Sequence, residues 1–262
     1  MRILIAGLIA LLVFAGCASQ AEKQVQENNA LPSNAFETNS NEGVIDSVSP
    51  AGSSRVYQLG VAGFIPRNYP ESSAEDWAGL FEGLSGYGEW FGVYSAWNDA
   101  QENGIPKQVR TAFGLQKQYG IIPVVALGVE PDSLTQEEAD AYFSINGNAF
   151  RETVVKVARE FKPEYLALGV EVNRLYENSP KGFEAFVKTY GEAYDAIKKE
   201  SPSTKIFSIF QLDYMRGNAK RSGKIHEPHW EILKEFEGKM DVVGFTVYPF
   251  LEYDMPEQIP ED

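Results

Sequence analysis

Cysteine is almost missing from this chain: Cys17 is the only one in 262 residues. That excludes an intramolecular disulfide and a cysteine-built metal cluster, so any exported domain must be held by its core alone. Histidine is nearly as scarce, with only His226 and His229. A zinc site needs more ligands than these two, and Pro228 breaks helical geometry between them. The segment reads as a loop running into a helix N-terminus, and neither a metal nor a cofactor is expected. Bases are in deficit, 23 Lys and Arg against 37 Asp and Glu, for a net charge of −14. That balance argues against nucleic acid and against an electrostatic grip on anionic lipid. No Gly-rich phosphate-binding motif follows any apolar run. Gly60, Gly63 and Gly128 stand alone, so no nucleotide site is expected.

What is present begins with an export signal. Arg2 supplies a positive start, and Ile3 to Phe14 is an apolar run too short to span a bilayer comfortably. It closes on Val13-Phe14-Ala15-Gly16-Cys17, which resembles the bacterial lipobox. The resemblance implies that residues 1–16 are a lipoprotein signal peptide and that Cys17 is acylated. The chain would then sit at the cell surface or in the periplasm, anchored to the membrane by that lipid. An ordinary signal peptide with an incidental cysteine would share the charged start and the apolar run. Residues 17–54 are rich in Gln, Glu, Asn and Ser and read as a flexible tether.

From residue 55 to 262 a strand-then-helix rhythm repeats six times. The apolar runs are Tyr57–Ile65, Trp90–Trp97, Ile121–Val129, Tyr165–Val172, Lys205–Leu212 and Val242–Phe250. Helices are predicted from Ser72 or Ser73, from Pro106 to Gly120, from about Ala149 to Phe161, from about Lys181 to Lys199, and from Pro228 to Phe236. Strands separated by helices, without hairpin signals, are parallel with right-handed crossovers. This is an α/β chain, either a doubly wound open sheet or a (β/α)8 TIM barrel. Strand faces favour the barrel. In the fourth run Leu166, Leu168, Val170 and Val172 share a bulky face, while Ala167, Gly169, Glu171 and Asn173 share a small face that turns polar at its end. A doubly wound strand, covered by helices on both sides, would be bulky on both. Small inward residues leading to a polar C-terminal mouth fit a barrel. At about 35 residues per unit, residues 55–262 would supply the first six βα units, a partial barrel.

Glu171 ends the fourth run on the inward face, where a carboxylate is costly unless bonded, solvated or useful. Glycoside cleavage needs two carboxyl groups across the scissile bond. A structural glutamate bonded to backbone or to an arginine is the competing reading.

Leu166-Ala167-Leu168-Gly169-Val170-Glu171-Val172-Asn173 resembles the fourth-strand motif of the large clan of retaining (β/α)8 glycoside hydrolases. That clan includes cellulase-like, mannanase-like and arabinogalactan endo-β-1,4-galactanase enzymes. Asp241-Val242-Val243-Gly244-Phe245-Thr246-Val247-Tyr248-Pro249-Phe250 is similar to its sixth-strand motif, which closes on Tyr-Pro. The resemblance implies that Glu171 is the general acid/base and that the substrate is a polysaccharide or oligosaccharide. It also implies a glutamate nucleophile ending a seventh strand, beyond Asp262. The clan places asparagine before the acid/base, whereas Val170 stands here and points outward by alternation. Asn173, on the inward face, is the residue that could replace it.

Within the chain, Glu130, Asp213 and Glu252 follow strands three, five and six, and Glu130 is the best internal carboxylate, read as a substrate contact. Aromatics at strand ends, namely Phe64, Tyr94, Trp97, Tyr214, Tyr248 and Phe250, could stack on sugar faces. Trp97 is the preferred stacking residue and Tyr248 the preferred polar contact. The competing function is a lipid-anchored carbohydrate- or solute-binding protein without catalysis.

Overall fold

The computed structural model describes residues 58, 60–62, 66, 73–98, 101–129, 134–253, 255 and 258. Cys17, the export signal, the tether, Phe64 and Glu130 lie outside the described residues. Among those described, no helix is long and apolar enough to cross a membrane.

Besides two antiparallel ladders of two-residue strands, at Gln101–Glu102 with Ile105–Pro106 and at Asn218–Ala219 with Lys224–Ile225, the described strands are β1 (Gly60–Ala62), β2 (Trp90–Ala96), β3 (Ile122–Gly128), β4 (Tyr165–Leu168), β5 (Lys205–Phe207), β6 (Ile209–Gln211) and β7 (Gly244–Thr246). The sheet runs β1-β2-β3-β4-β5, every pair parallel, and β6 pairs in parallel with β7. β5 and β6 form one stave interrupted at Ser208. Ile206 and Phe210 belong to the helix-side core, Phe207 and Ile209 to the other, so the alternation carries straight through. Backbone bonds also span the gap: Ile209 N–H donates to Gly169 O at 3.2 Å and Gly244 N–H to Ser208 O at 3.1 Å. Each new strand therefore adds on the same side as the last. A doubly wound sheet reverses direction at a switch point, and this one does not. The fold is α/β, with six successive staves of a TIM-barrel wall.

The two faces separate by alternation, with small inner residues on β3 and β4 but bulky Phe207 and Ile209 on β5 and β6. Val125, Leu127, Leu166 and Leu168 pack with the helices, while Val124, Ala126, Ala167, Phe207 and Ile209 form the inner cluster. Small inner residues make room for large ones. A Cβ on Gly128 would lie 2.6 Å from the Tyr94 ring, so this glycine is what admits the tyrosine.

The helices show where local signals suffice. α1 (Ala74–Ser85) starts at Ser73 in a capping box with Asp76. α2 (Lys107–Tyr119) ends on Gly120 in the left-handed region, φ 64°. α5 (Pro180–Glu200) starts with Ser179 as cap and proline at the first position, and buries Phe183, Phe186, Tyr190 and Ile197.

Three expectations are corrected. The third helix, α3, runs from Gln136 to Phe161, not from Ala149. Thr135 and Glu138 form its capping box, and Gly147, which breaks the apolar pattern, is instead the point where Thr189 of α5 approaches. The fourth strand ends at Leu168, and a short helix, α4 (Val172–Asn178), follows it directly. The segment after Pro228 is a 3-10 helix, Trp230–Phe236, not an α-helix. Its Phe236 packs edge-on against Tyr190 at 5.0 Å and Phe210 at 5.7 Å, closing the core under α5.

Candidate functional site

The turn between β4 and α4 builds the site. Gly169 has φ 92°, and Glu171, the cap of α4, has φ 53°. A left-handed conformation costs a non-glycine residue about 1–2 kcal/mol. Such strain persists only where the surroundings enforce it, and it gathers at functional positions. Gly169 cannot carry a side chain: a Cβ would meet Val172 at 2.6 Å and Phe186 at 2.8 Å. These two residues break the strand's alternation. Val170 consequently packs with the inner cluster, which corrects the outward position expected of it.

Glu171 is 9% exposed and held by three donors. Thr246 Oγ1 donates to Oε1 at 2.7 Å, the Tyr248 hydroxyl to the same oxygen at 2.8 Å, and Arg174 to Oε2 at 3.0 Å. Thr246 and Tyr248 come from the C-terminal end of β7, and Arg174 from the first turn of α4. The Arg174 guanidinium lies 5.6 Å from the Tyr214 ring centre, within cation–π range. Burial, and then the charge of Glu171, hold the Tyr248 hydroxyl well above its ordinary range, so it remains a donor.

Behind Tyr248 stands a second carboxylate. Asp213, 2% exposed, accepts the Tyr248 main-chain N–H on Oδ2 at 2.9 Å. Burial pushes its carboxyl up. The Tyr248 and Asp213 N–H groups pull the other way, and the nearby charge of Glu252 adds to the rise. Glu252 itself is closed off by Arg216, at 3.0 and 3.4 Å, and by Asn218. Phe250, 55% exposed, leans edge-on against the Tyr248 ring at 5.7 Å.

Of the residues singled out from the sequence, Glu171 and Tyr248 are brought together. Asn173 sits on α4, 1% exposed, with both ends of its amide on the Gln211 main chain: Nδ2 donates to Gln211 O at 3.0 Å and Oδ1 accepts from Gln211 N at 2.8 Å. It fastens α4 to β6 and bonds no atom of Glu171. Trp97 is 6% exposed in the helix-side core, with Nε1 donating to Tyr142 at 2.7 Å and its ring edge-on to Phe150 of α3 at 5.9 Å. No ring face is left there for a sugar. Glu130 and Cys17 lie outside the described residues.

Thr246 and Arg174 escaped the sequence reading. Arg174 had a signal, since Glu-x-x-Arg is an i, i+3 ion-pair spacing once α4 is recognised as helical. Thr246 was visible only as a small inward residue.

No family model matches the chain, and no curated protein matches it. Among solved structures it is similar to the β-glucosidase from Thermotoga maritima in complex with castanospermine, with a TM-score of 0.46 and 13% identity. The alignment covers 66% of this chain and 53% of that one. The family 1 β-glucosidase from the same organism aligns over the same shares, with a TM-score of 0.45 and 12% identity. The chain thus spans about half the length of these structures.

Proposed function

We propose that this chain belongs to a lipid-anchored glycoside hydrolase acting on a neutral polysaccharide outside the cell with retention of configuration. Glu171 is the general acid/base. The observation that carries the reading is a carboxylate at the C-terminal end of β4, bonded to two hydroxyls from the end of β7. In this mechanism Glu171 protonates the leaving oxygen, then removes a proton from the water that releases the sugar. The carboxylate left between the two steps is met by Thr246, Tyr248 and Arg174, donors already aimed at it. Phe250, exposed beside Tyr248, offers an apolar ring face to a sugar. A retaining partner carboxylate must lie about 5–5.5 Å away. Asp213 and Glu252 are bonded elsewhere, so neither is assigned as the nucleophile.

A second reading, a carbohydrate-binding site with no catalysis, has its own support: both oxygens of Glu171 accept from the protein's own donors, a fixed arrangement that needs no proton transfer. Glu171→Gln separates the two. Reducing ends released from soluble β-linked polysaccharides would be measured alongside affinity electrophoresis on the same gels. Hydrolysis should fall about a thousandfold while sugar retardation persists. Undiminished hydrolysis by the variant would remove Glu171 from the acid/base role. Retardation by the wild type without any product would favour the binding reading.

A further inference from the structure

At the far end of α4 from Glu171, a second polar cluster is left incomplete. Glu177 points its carboxylate toward the segment that follows a short ladder, Asn218–Ala219 with Lys224–Ile225. Its side chain is 8% exposed. Oε2 receives the Lys224 ammonium at 2.9 Å. Oε1 is buried with no hydrogen-bond partner and faces Nε2 of His226 at 3.3 Å, which is also buried and without one.

The other nitrogen of His226 explains why this is unusual. Nδ1 lies 2.7 Å from the Glu227 carbonyl oxygen. A carbonyl only accepts, so Nδ1 carries the proton, and in a neutral imidazole Nε2 is then a bare lone pair. Two lone pairs facing each other in a buried place require a positive centre between them, a proton or a cation. His229 supplies a third donor. Its ring stacks on His226 at 4.1 Å and 18°, and its edge meets Tyr176 at 5.4 Å. One ligand atom from each of Glu177, His226 and His229 falls within 4.8 Å of the other two.

We propose that Glu177, His226 and His229 bind a divalent transition metal ion of the zinc type. Two imidazoles and one carboxylate are a zinc ligand set, with the fourth position left to water or a ligand. Metal–ligand bonds of about 2.0–2.2 Å put tetrahedral donors roughly 3.3–3.5 Å apart. The Glu177–His226 gap already has that width, and His229, whose ring now lies face to face with His226, completes the set by turning its ring to aim a nitrogen at the same point.

The loop is held ready for this. His226 N–H donates to Gly217 O at 3.2 Å and His229 N–H to Met215 O at 2.9 Å. Gly217, at φ 64°, lets the two segments touch where a side chain would collide with His226. The Nδ1 contact to Glu227 fixes the tautomer, a usual support of a metal-binding histidine. Lys224 keeps Glu177 to one free oxygen, and its charge weakens the site.

Isothermal titration of the full chain with zinc alone tests the assignment, with thermal unfolding as a second readout. One zinc per chain should bind and raise the melting temperature. His229→Ala removes a ligand without touching the Glu177–His226 contact, and should weaken binding about tenfold or more at unchanged circular dichroism. Lys224→Met should strengthen it. A proton in place of the metal predicts no stoichiometric zinc uptake, and that result would overturn the proposal. So would zinc binding undiminished in both His229→Ala and His226→Ala.

Discussion

The Tyr248 hydroxyl donates to Oε1 of Glu171 across 2.8 Å, although the two residues stand 77 positions apart in the chain. The same tyrosine gives its main-chain N–H to Asp213. One residue thus bonds a carboxylate on each side, Asp213 through its main chain and Glu171 through its ring hydroxyl.

Tyr248→Phe deletes that hydroxyl and leaves both the ring and the N–H to Asp213. A hydrogen bond to a charged group contributes about 1.5–3 kcal/mol, so kcat should fall roughly ten- to a hundredfold. KM should move little, because the Thr246 bond still positions Glu171. Steady-state kinetics on the best polysaccharide substrate would show it. An unchanged kcat would mean that the hydroxyl orders the resting site only.

Asp213→Asn keeps an acceptor for the Tyr248 N–H and removes the charge. The fold raises the aspartate above its ordinary 3.8, so the folded chain holds this proton to higher pH than the unfolded chain does. Stability from this group is therefore complete below 3.8 and is lost as pH rises through the folded value. In urea titrations the wild type should lose stability relative to the variant as pH climbs from about 3 to neutrality, with the two curves converging in acid. A gap independent of pH would show that Asp213 does not change charge in this window.

Gly147→Ala tests the contact of α3 with α5. In an open helix the change would stabilise by about 1 kcal/mol. Here the new Cβ would lie 2.9 Å from Thr189 Oγ1, which is held at 2.9 Å on the Ala185 carbonyl. The single variant should be destabilised, and adding Thr189→Ala should recover most of the loss. A double-mutant cycle with no coupling would rule out the crowding.

Where the chain obeys local rules, the fold was legible. Ser73, Gly120 and Ser179-Pro180 mark helix ends, and Val124 to Leu127 alternate between the two faces. The reading failed where backbone torsion changes the period. Gly169 and Glu171 turn the chain out of the strand two residues apart, and nothing in an apolar pattern reports a positive φ on a glutamate. Val170 was placed on the wrong face for that reason, and Val172 and Asn173, the first residues of α4, were read as the end of a strand. Asn173 thus moved from a strand face to a helix side clamped on Gln211. Trp97 failed differently. It follows β2, where sequence sees a strand mouth, yet Tyr142 and Phe150 of the longer α3 draw its ring into the helix layer. Glu171 and Tyr248 were legible because each ends a run of strand residues. The pair His226 and His229 was set aside because its third partner, Glu177, sits on the helix the sequence did not show.

α4 has only seven residues, roughly 10 Å of helix, too short to bend. Glu171 caps one end and Glu177 lies next to the other, with Asn173 pinning the shaft to β6. Val172 and Leu175 bury its inner side as well. The two carboxylates therefore share one short foundation, and a substitution that loosens it would disturb both together.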